Sequence, residues 1–294
     1  MKVFFLVQCH KLTTPLTYNI LKLSKIKDVK IFIHVDKKSD INQFIHLEGP
    51  NIIFIKKRID VHWGGQAQIN VSLNLFKEII HLDYDYVSFI SGDDLFYRSF
   101  SDFKSFLLNN NGKEFIGIDS SSEQSFQQRF KMRYPSIYFD RYLPLWLRIS
   151  KKAYSTCYKF GFFQNKTPAP FTRFYKGSNW FTLSKLSIDY IFTTIEKNSD
   201  IMKFFQNSFC CDEIIFQTIL MNSEFKNSIY KIFDDDYDDN RMSLRYIDWK
   251  SGPEYPKILH KKELQKEFPL DSFFIRKVDS QIPLDFIVNT FDIE

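Results

Sequence analysis

Glu213 stands at the end of Cys210-Cys211-Asp212-Glu213, ahead of a helical pattern whose inward face is Ile214, Ile215, Thr218 and Ile219. In the first turn of a helix from Asp212 to Leu220, this carboxylate lies at the positive end of the dipole, which keeps it ionised. Placed at a cleft, it could take a proton from an attacking hydroxyl. Asp212 fits a helix cap, so the same residues also read as structural. Ser91-Gly92-Asp93-Asp94 follows the apolar run Tyr86 to Ile90. Carboxylates there could hold a divalent metal on a diphosphate, or cap a helix beginning near Ser101. The spacing is not that of a DxD pair. Asp36, after Ile31-Phe32-Ile33, suits a ribose or base contact, or simple turn chemistry. Trp63-Gly64-Gly65 combines a stacking plane with backbone that a ligand can approach closely, or makes a tight turn. Arg276-Lys277 and Lys257 could meet a diphosphate, although basic residues of this kind are often plain surface. The acidic run Asp234 to Asp239 lacks the Gly and closing Glu of a calcium loop and reads as solvated.

These residues need strand ends to hold them. Lys2 to Gln8, Lys30 to Val35, Ile52 to Ile55 and Tyr86 to Ile90 read as strands, with helices over Pro15 to Leu23 and Ala67 to Ile80. That alternation predicts an α/β fold with a mainly parallel sheet flanked by helices. In such sheets ligands sit beyond the carboxyl ends of the strands, where His10, His34 to Asp36 and Ser91 to Asp94 fall. Residues 1–118 form a nucleotide-binding half. Residues 119–175, punctuated by Pro135, Pro144, Pro168 and Pro170, read as an irregular insertion or lid. Residues 176–294 read as the other half of the same single domain. They hold the Trp180 to Leu183 segment, helices from Ser187 to Glu196 and Asp212 to Leu220, and a last stretch, Tyr246 to Lys277, of loops and one helix around Glu263.

A chain of 294 residues with 44% hydrophobic and 26% charged residues is globular in composition and has room for a sizeable core. A formal charge of +5 does not argue for nucleic acid. Its distribution is uneven: between Arg129 and Lys176 eleven basic residues, Lys131 among them, face the single acid Asp140. Aromatic residues run through the same stretch. The thirty-three Phe and fifteen Tyr suit sugar stacking or an interface, or reflect genome composition. Cys9, Cys157, Cys210 and Cys211 form neither a disulfide framework nor a zinc pattern. The N-terminal apolar run is too short for a signal segment, and no window approaches the ~18 apolar residues a membrane span needs. The expected location is the cytoplasm.

Taken in order, Ile33-His34-Val35-Asp36-Lys37-Lys38-Ser39, Val61-His62-Trp63-Gly64-Gly65, Ser91-Gly92-Asp93-Asp94, Lys176-Gly177-Ser178-Asn179-Trp180-Phe181, Cys211-Asp212-Glu213, Leu244-Arg245-Tyr246-Ile247-Asp248-Trp249 and Phe274-Ile275-Arg276-Lys277 resemble one family. It is that of the core-2 branching β-N-acetylglucosaminyltransferases and peptide O-xylosyltransferases. The resemblance implies a GT-A fold, a UDP-sugar donor such as UDP-GlcNAc, and inverting single displacement with no metal or other cofactor. It makes Glu213 the base, sets Asp36 against the uracil and Lys277 on the diphosphate, and leaves Lys257 as the candidate for the second cation, with Arg276 also in the donor site. Gly64, Gly65 and Asp94 would then line the donor site, and Tyr246, Trp180 and Lys131 the acceptor site. Animal relatives carry a membrane anchor and many disulfides. Without them the chain looks like a bacterial member that builds surface polysaccharide or lipopolysaccharide, with a glycan or lipid-linked acceptor and the basic, aromatic stretch against an anionic membrane. A metal-dependent transferase using Asp93 and Asp94, with xylose, galactose or glucuronic acid as the sugar, and a non-catalytic carbohydrate-binding protein are the alternatives.

Overall fold

The computed structural model describes residues 1–139, 149, 153, 154, 156–158, 160–232, 234–253 and 255–291. Asp140, Arg141, Tyr142, Pro144, Trp146, Arg148, Lys151, Lys152 and Lys159 of the basic, aromatic stretch lie outside the described residues. Nine strands occur among those described: β1 (Val3–Cys9), β2 (Val29–Val35), β3 (Ile52–Phe54), β4 (Tyr86–Ser91), β5 (Leu95–Phe96), β6 (Phe115–Ile116), β7 (Phe181–Ser184), β8 (Arg245–Ile247) and β9 (Phe274–Arg276). The main sheet has the order β3-β2-β1-β4-β7-β6. Its first four strands are mutually parallel, and β7 runs antiparallel to both its neighbours. The expected α/β architecture with a mainly parallel sheet is therefore present.

The apolar runs become strands because both faces of the sheet are covered. In β1, Phe4 and Leu6 point into one core and Val3, Phe5 and Val7 into the other. Helix α1 (Thr14–Leu23) starts where Thr13 accepts a hydrogen bond from Leu16 N and Pro15 fixes the first turn. It buries Leu16, Ile20 and Leu23 against the Phe5 face. Helix α2 (Ala67–Ile79) brings Ile69, Leu75, Phe76 and Ile79 to the opposite face, beside Ile188, Ile191 and Ile195 of the helix Lys185–Lys197. Helix α3 (Phe100–Asn109) is capped by Ser99, which accepts from Asp102 N, so neither Asp93 nor Asp94 caps it.

The stretch read as loops around one helix contains more than that. A turn of helix does form at Lys261–Leu264, closed by a capping box between His260 and Glu263. In addition β8 and β9 join β5 in a second sheet, ordered β5-β9-β8. Each is two or three residues long, too short for a periodic signal. The phenylalanine surplus is largely core: Phe96 packs on Phe5, Phe103 and Phe274 at ring separations of 5.7, 5.4 and 5.4 Å. Within the 119–175 stretch, Phe126, Phe130 and Phe174 are buried in the main core, Phe130 stacked on Phe174 at 4.3 Å. Among the described residues no helix is long and apolar enough to cross a membrane.

Helix α1 also props up the turn after β4. Buried Asn19 donates to Asp94 O at 2.8 Å and accepts from Phe96 N at 2.9 Å. Asn19→Ala strands both groups away from water and should cost roughly 2–4 kcal/mol in urea unfolding.

Candidate functional site

The carboxyl ends of β1, β2 and β4 form one wall. In the turn after β4 a side chain on Gly92 would press its Cβ to 3.1 Å from Cys9 Cβ. Asp94, in that turn, is wholly buried. Its Oδ2 accepts from Ser91 N at 2.6 Å, from the Ser91 hydroxyl and from Arg276 Nη1 at 3.0 Å, while Arg245 Nε stands 3.9 Å from Oδ1. Arg245 is also wholly buried, donating to Ser243 O at 2.7 Å and Phe89 O at 2.6 Å. Burial pulls its pKa down to about 9, against the pull of Asp94. Asp94 was expected to contact the donor, with metal ligation as the other reading. With no exposed surface and two guanidinium neighbours, it instead anchors Arg276.

Asp93 takes a different cation. Its Oδ2 lies 3.4 Å from Lys277 Nζ, and its carbonyl accepts from Val278 N at 3.0 Å. The consecutive residues Arg276 and Lys277 are thus held by the consecutive Asp94 and Asp93, and Lys277 keeps part of its side chain in solvent. His10 belongs to the same neighbourhood: partial burial depresses its pKa, Asp93 and Asp36 oppose the shift, and Lys11 and Lys277 reinforce it. Asp36 is buried at the end of β2, accepting from Lys38 N at 2.9 Å, with Lys38 Nζ 3.4 Å from its other oxygen. Arg58 braces this loop by donating to Val35 O at 3.1 Å and Asp36 O at 2.6 Å.

Glu213 stands on a second wall. Its surroundings differ from the helix start that the sequence suggested: Cys211–Glu213 form a 3-10 turn and the α-helix is Ile215–Met221, without a side-chain cap. Asp212 is buried instead, and burial first, then Glu213, raises its pKa to about 7. The charge facing Glu213 is that of Arg129, whose Nη1 is 2.5 Å from Oε2. Cys210, with φ of 49°, donates its N–H to Gly64 O at 2.7 Å. A Cβ on Gly64 would lie 3.0 Å from both Cys210 Sγ and the Phe209 ring, and Gly64 itself has φ of +70°. The Trp63-Gly64-Gly65 turn therefore backs the Glu213 loop, and Gly65 N closes it on His62 O at 3.1 Å.

The segment Lys176 to Trp180 joins the two walls. Gly177 N donates to Glu213 O at 3.0 Å, while the Trp180 ring stacks on Phe89 at 5.3 Å and carries the Arg276 guanidinium 4.6 Å from its centre. Gly177 has no room for a side chain, since a Cβ would meet Gly117 O at 1.8 Å. Beside it Lys176 pairs with Asp119 at 2.7 Å. Asp239, on the far side of Gly117, has its pKa raised to about 6, by burial first and then by Asp119 and Asp238.

One comparison decides the family. A profile of the Core-2/I-Branching enzyme family matches residues 3–269. The chain belongs to that family. Among curated relatives of this Branch member, xylosyltransferase sqv-6 of Caenorhabditis elegans is 23% identical over 316 residues, covering 97% of this chain and 36% of the relative. Xylosyltransferase oxt of Drosophila melanogaster is 24% identical over 260 residues, covering 85% and 26%. The chain thus spans little more than a third, or less, of the relatives it matches.

Other expected site residues fall at varied distances from these walls. Tyr246, in β8, sets its ring edge-on to Phe268 at 5.0 Å. Lys257 Nζ is 3.3 Å from Glu263 Oε1, and its N–H donates to Asp248 O at 2.9 Å. Leu259, two residues on, bridges to Val278, next to Lys277. Lys131 is exposed, bonded to Gln127 Oε1 at 2.5 Å. Three residues around these walls had no role assigned from the sequence: Arg129 on Glu213, Arg245 on Asp94, and Asp239. Arg129 heads the basic stretch and Arg245 lies inside a family segment, but neither signal names its carboxylate partner. Asp239 ends an acidic run that is otherwise the solvated loop expected, with Asp238 capping Asp239–Met242.

His34, next to this wall, gives it a pH limit. Burial pushes its pKa down to about 4, and Nε2 accepts from Ile59 N at 2.9 Å. The unfolded imidazole binds a proton below about 6.5 and the folded one does not until about 4. Stability is therefore lost as pH falls through that window, by up to about 3 kcal/mol from this group. Urea midpoints measured from pH 7 to 4.5 should fall less steeply in His34→Gln, whose amide oxygen can still accept from Ile59 N.

Proposed function

We propose that this Branch member is an inverting, metal-independent glycosyltransferase that moves a sugar from a UDP-sugar, with GlcNAc as the preferred donor sugar, onto a hydroxyl of a glycan acceptor in a β-linkage. The family match and the xylosyltransferase relatives support the reaction class. The observation that carries the mechanism is the pairing of Glu213 with Arg129 beside a segment that also reaches Arg276. A partly exposed carboxylate held through one oxygen by a guanidinium is oriented to act as a base.

In this reading Glu213 removes the proton of the acceptor hydroxyl as that oxygen bonds to the anomeric carbon. The bond from that carbon to the UDP oxygen breaks on the opposite side, which inverts the configuration. The electron pair leaves with the diphosphate, and the ammonium of Lys277 stabilises it. Arg276, bound to buried Asp94, fixes the Lys277 backbone and adds positive potential. Asp36 meets the uracil of the donor, and the Gly64 turn supports the Glu213 loop; bacterial surface polysaccharide or lipopolysaccharide is the product class.

Glu213→Gln should lower transfer to acceptor at least ~100-fold while UDP-sugar affinity, measured by calorimetry, changes little. Near-wild-type turnover in that variant would remove Glu213 from the role. Lys277→Ala should weaken UDP binding roughly 10-fold or more, since a charge-assisted contact is lost. Transfer should persist in excess EDTA, and a strict manganese requirement would overturn the metal-independent reading.

A further inference from the structure

We propose that the turn closed by Tyr158 and Phe163 inserts its aromatic side chains into the interfacial layer of an anionic lipid bilayer. Phe160, Phe162 and Phe163 are 76%, 61% and 49% exposed on one tight turn. Most other phenylalanines described are buried, so these three stand apart from the use of Phe as core filling. Three neighbouring aromatic residues in water carry an unfavourable hydration that insertion relieves.

Backbone hydrogen bonds brace the described residues of the turn, which lowers the cost of ordering them for insertion. Phe160 N and Phe162 N both donate to Cys157 O, at 3.1 and 3.2 Å, and Gly161 N donates to Tyr158 O at 2.9 Å. Gly161, with φ of +86°, turns the chain between the two most exposed rings. The base is fixed to the protein by the Met132–Gln164 bridge, by Arg133 N to Phe163 O at 2.9 Å and by Asn165 N to Lys131 O at 2.8 Å. Asn165 Nδ2 then reaches Phe130 O and Phe204 O, each at 2.8 Å, in the core.

Charge selects the occupant. Lys131 and Lys166, both exposed, border the turn, and no acidic residue occurs among the described residues from 129 to 176. The chain's longest acidic run, Asp234 to Asp239, lies elsewhere in the sequence. Protruding aromatics beside an excess of cations match the two components of a membrane interface with acidic headgroups, each cation adding about fivefold to partitioning. A membrane location would also bring the chain to acceptors carried on lipid, although the contact does not rest on the transfer reaction.

Flotation with vesicles of phosphatidylcholine alone, or with a third phosphatidylserine, tests this. The wild-type chain should float with the phosphatidylserine vesicles and release as salt is raised. Phe160→Ser/Phe162→Ser should lower partitioning about tenfold or more, and Lys166→Glu several-fold, with unchanged thermal unfolding in both. In Phe162→Trp, the emission should gain a blue-shifted component on adding those vesicles. No flotation, equal flotation with both vesicle types, or flotation that survives loss of the two rings would overturn the proposal. So would a concentration-dependent dimer in sedimentation that the Phe160→Ser/Phe162→Ser change abolishes, because the turn would then be an interface between copies.

Discussion

Asp94 has no solvent to share its charge with, and the structure around it follows from that constraint. A carboxylate taken out of water must find hydrogen bonds and opposite charge. Ser91 and Arg276 supply the hydrogen bonds, and Arg245 supplies a second positive charge. The two arginines come from β8 and β9, so the ion cluster fastens the second sheet to the end of β4. Removing one member of such a cluster typically costs 3–5 kcal/mol because the others stay buried and unpaired. Once Arg276 is fixed, Lys277 follows it to Asp93 and the positive wall is set.

The Glu213 loop rests on close backbone packing as well as on charge. Gly64 against Cys210 and Gly177 against Gly117 are approaches that a single Cβ would block. With the bond from Gly177 N to Glu213 O, they bring four distant parts of the chain together: the turn before α2, the residues after β6, the segment before β7 and the loop after Phe209. Glu213 then receives its orientation from Arg129, which a helical turn supplies. The segment from Gly177 to Trp180 connects the two parts, since the Trp180 ring bears Arg276 and Gly177, three residues earlier, holds the Glu213 carbonyl.

Phenylalanine serves two ends in this chain. In the cores the rings pack edge-on and stacked at 4–6 Å, where each adds burial and aromatic attraction. At the Phe160–Phe163 turn the same side chain faces solvent on a braced loop. Composition alone could not separate these uses, because burial is a property of the neighbours.

The sequence by itself determined the α/β alternation, because β1, β2, β4, α1 and α2 each carry a period strong enough to read without partners. It also placed carboxylates and cations at strand ends, and the ordered segments carried the resemblance to the Core-2/I-Branching family. What only the tertiary structure decided is which charge meets which. Asp94 became a buried anchor, Arg129 became the partner of Glu213, and the short strands β5, β8 and β9 formed a sheet. The physical reason is range. Periodicity is a local property that a window of residues can record, whereas an ion pair between residues 84 or 182 positions apart exists only once packing has brought both out of water.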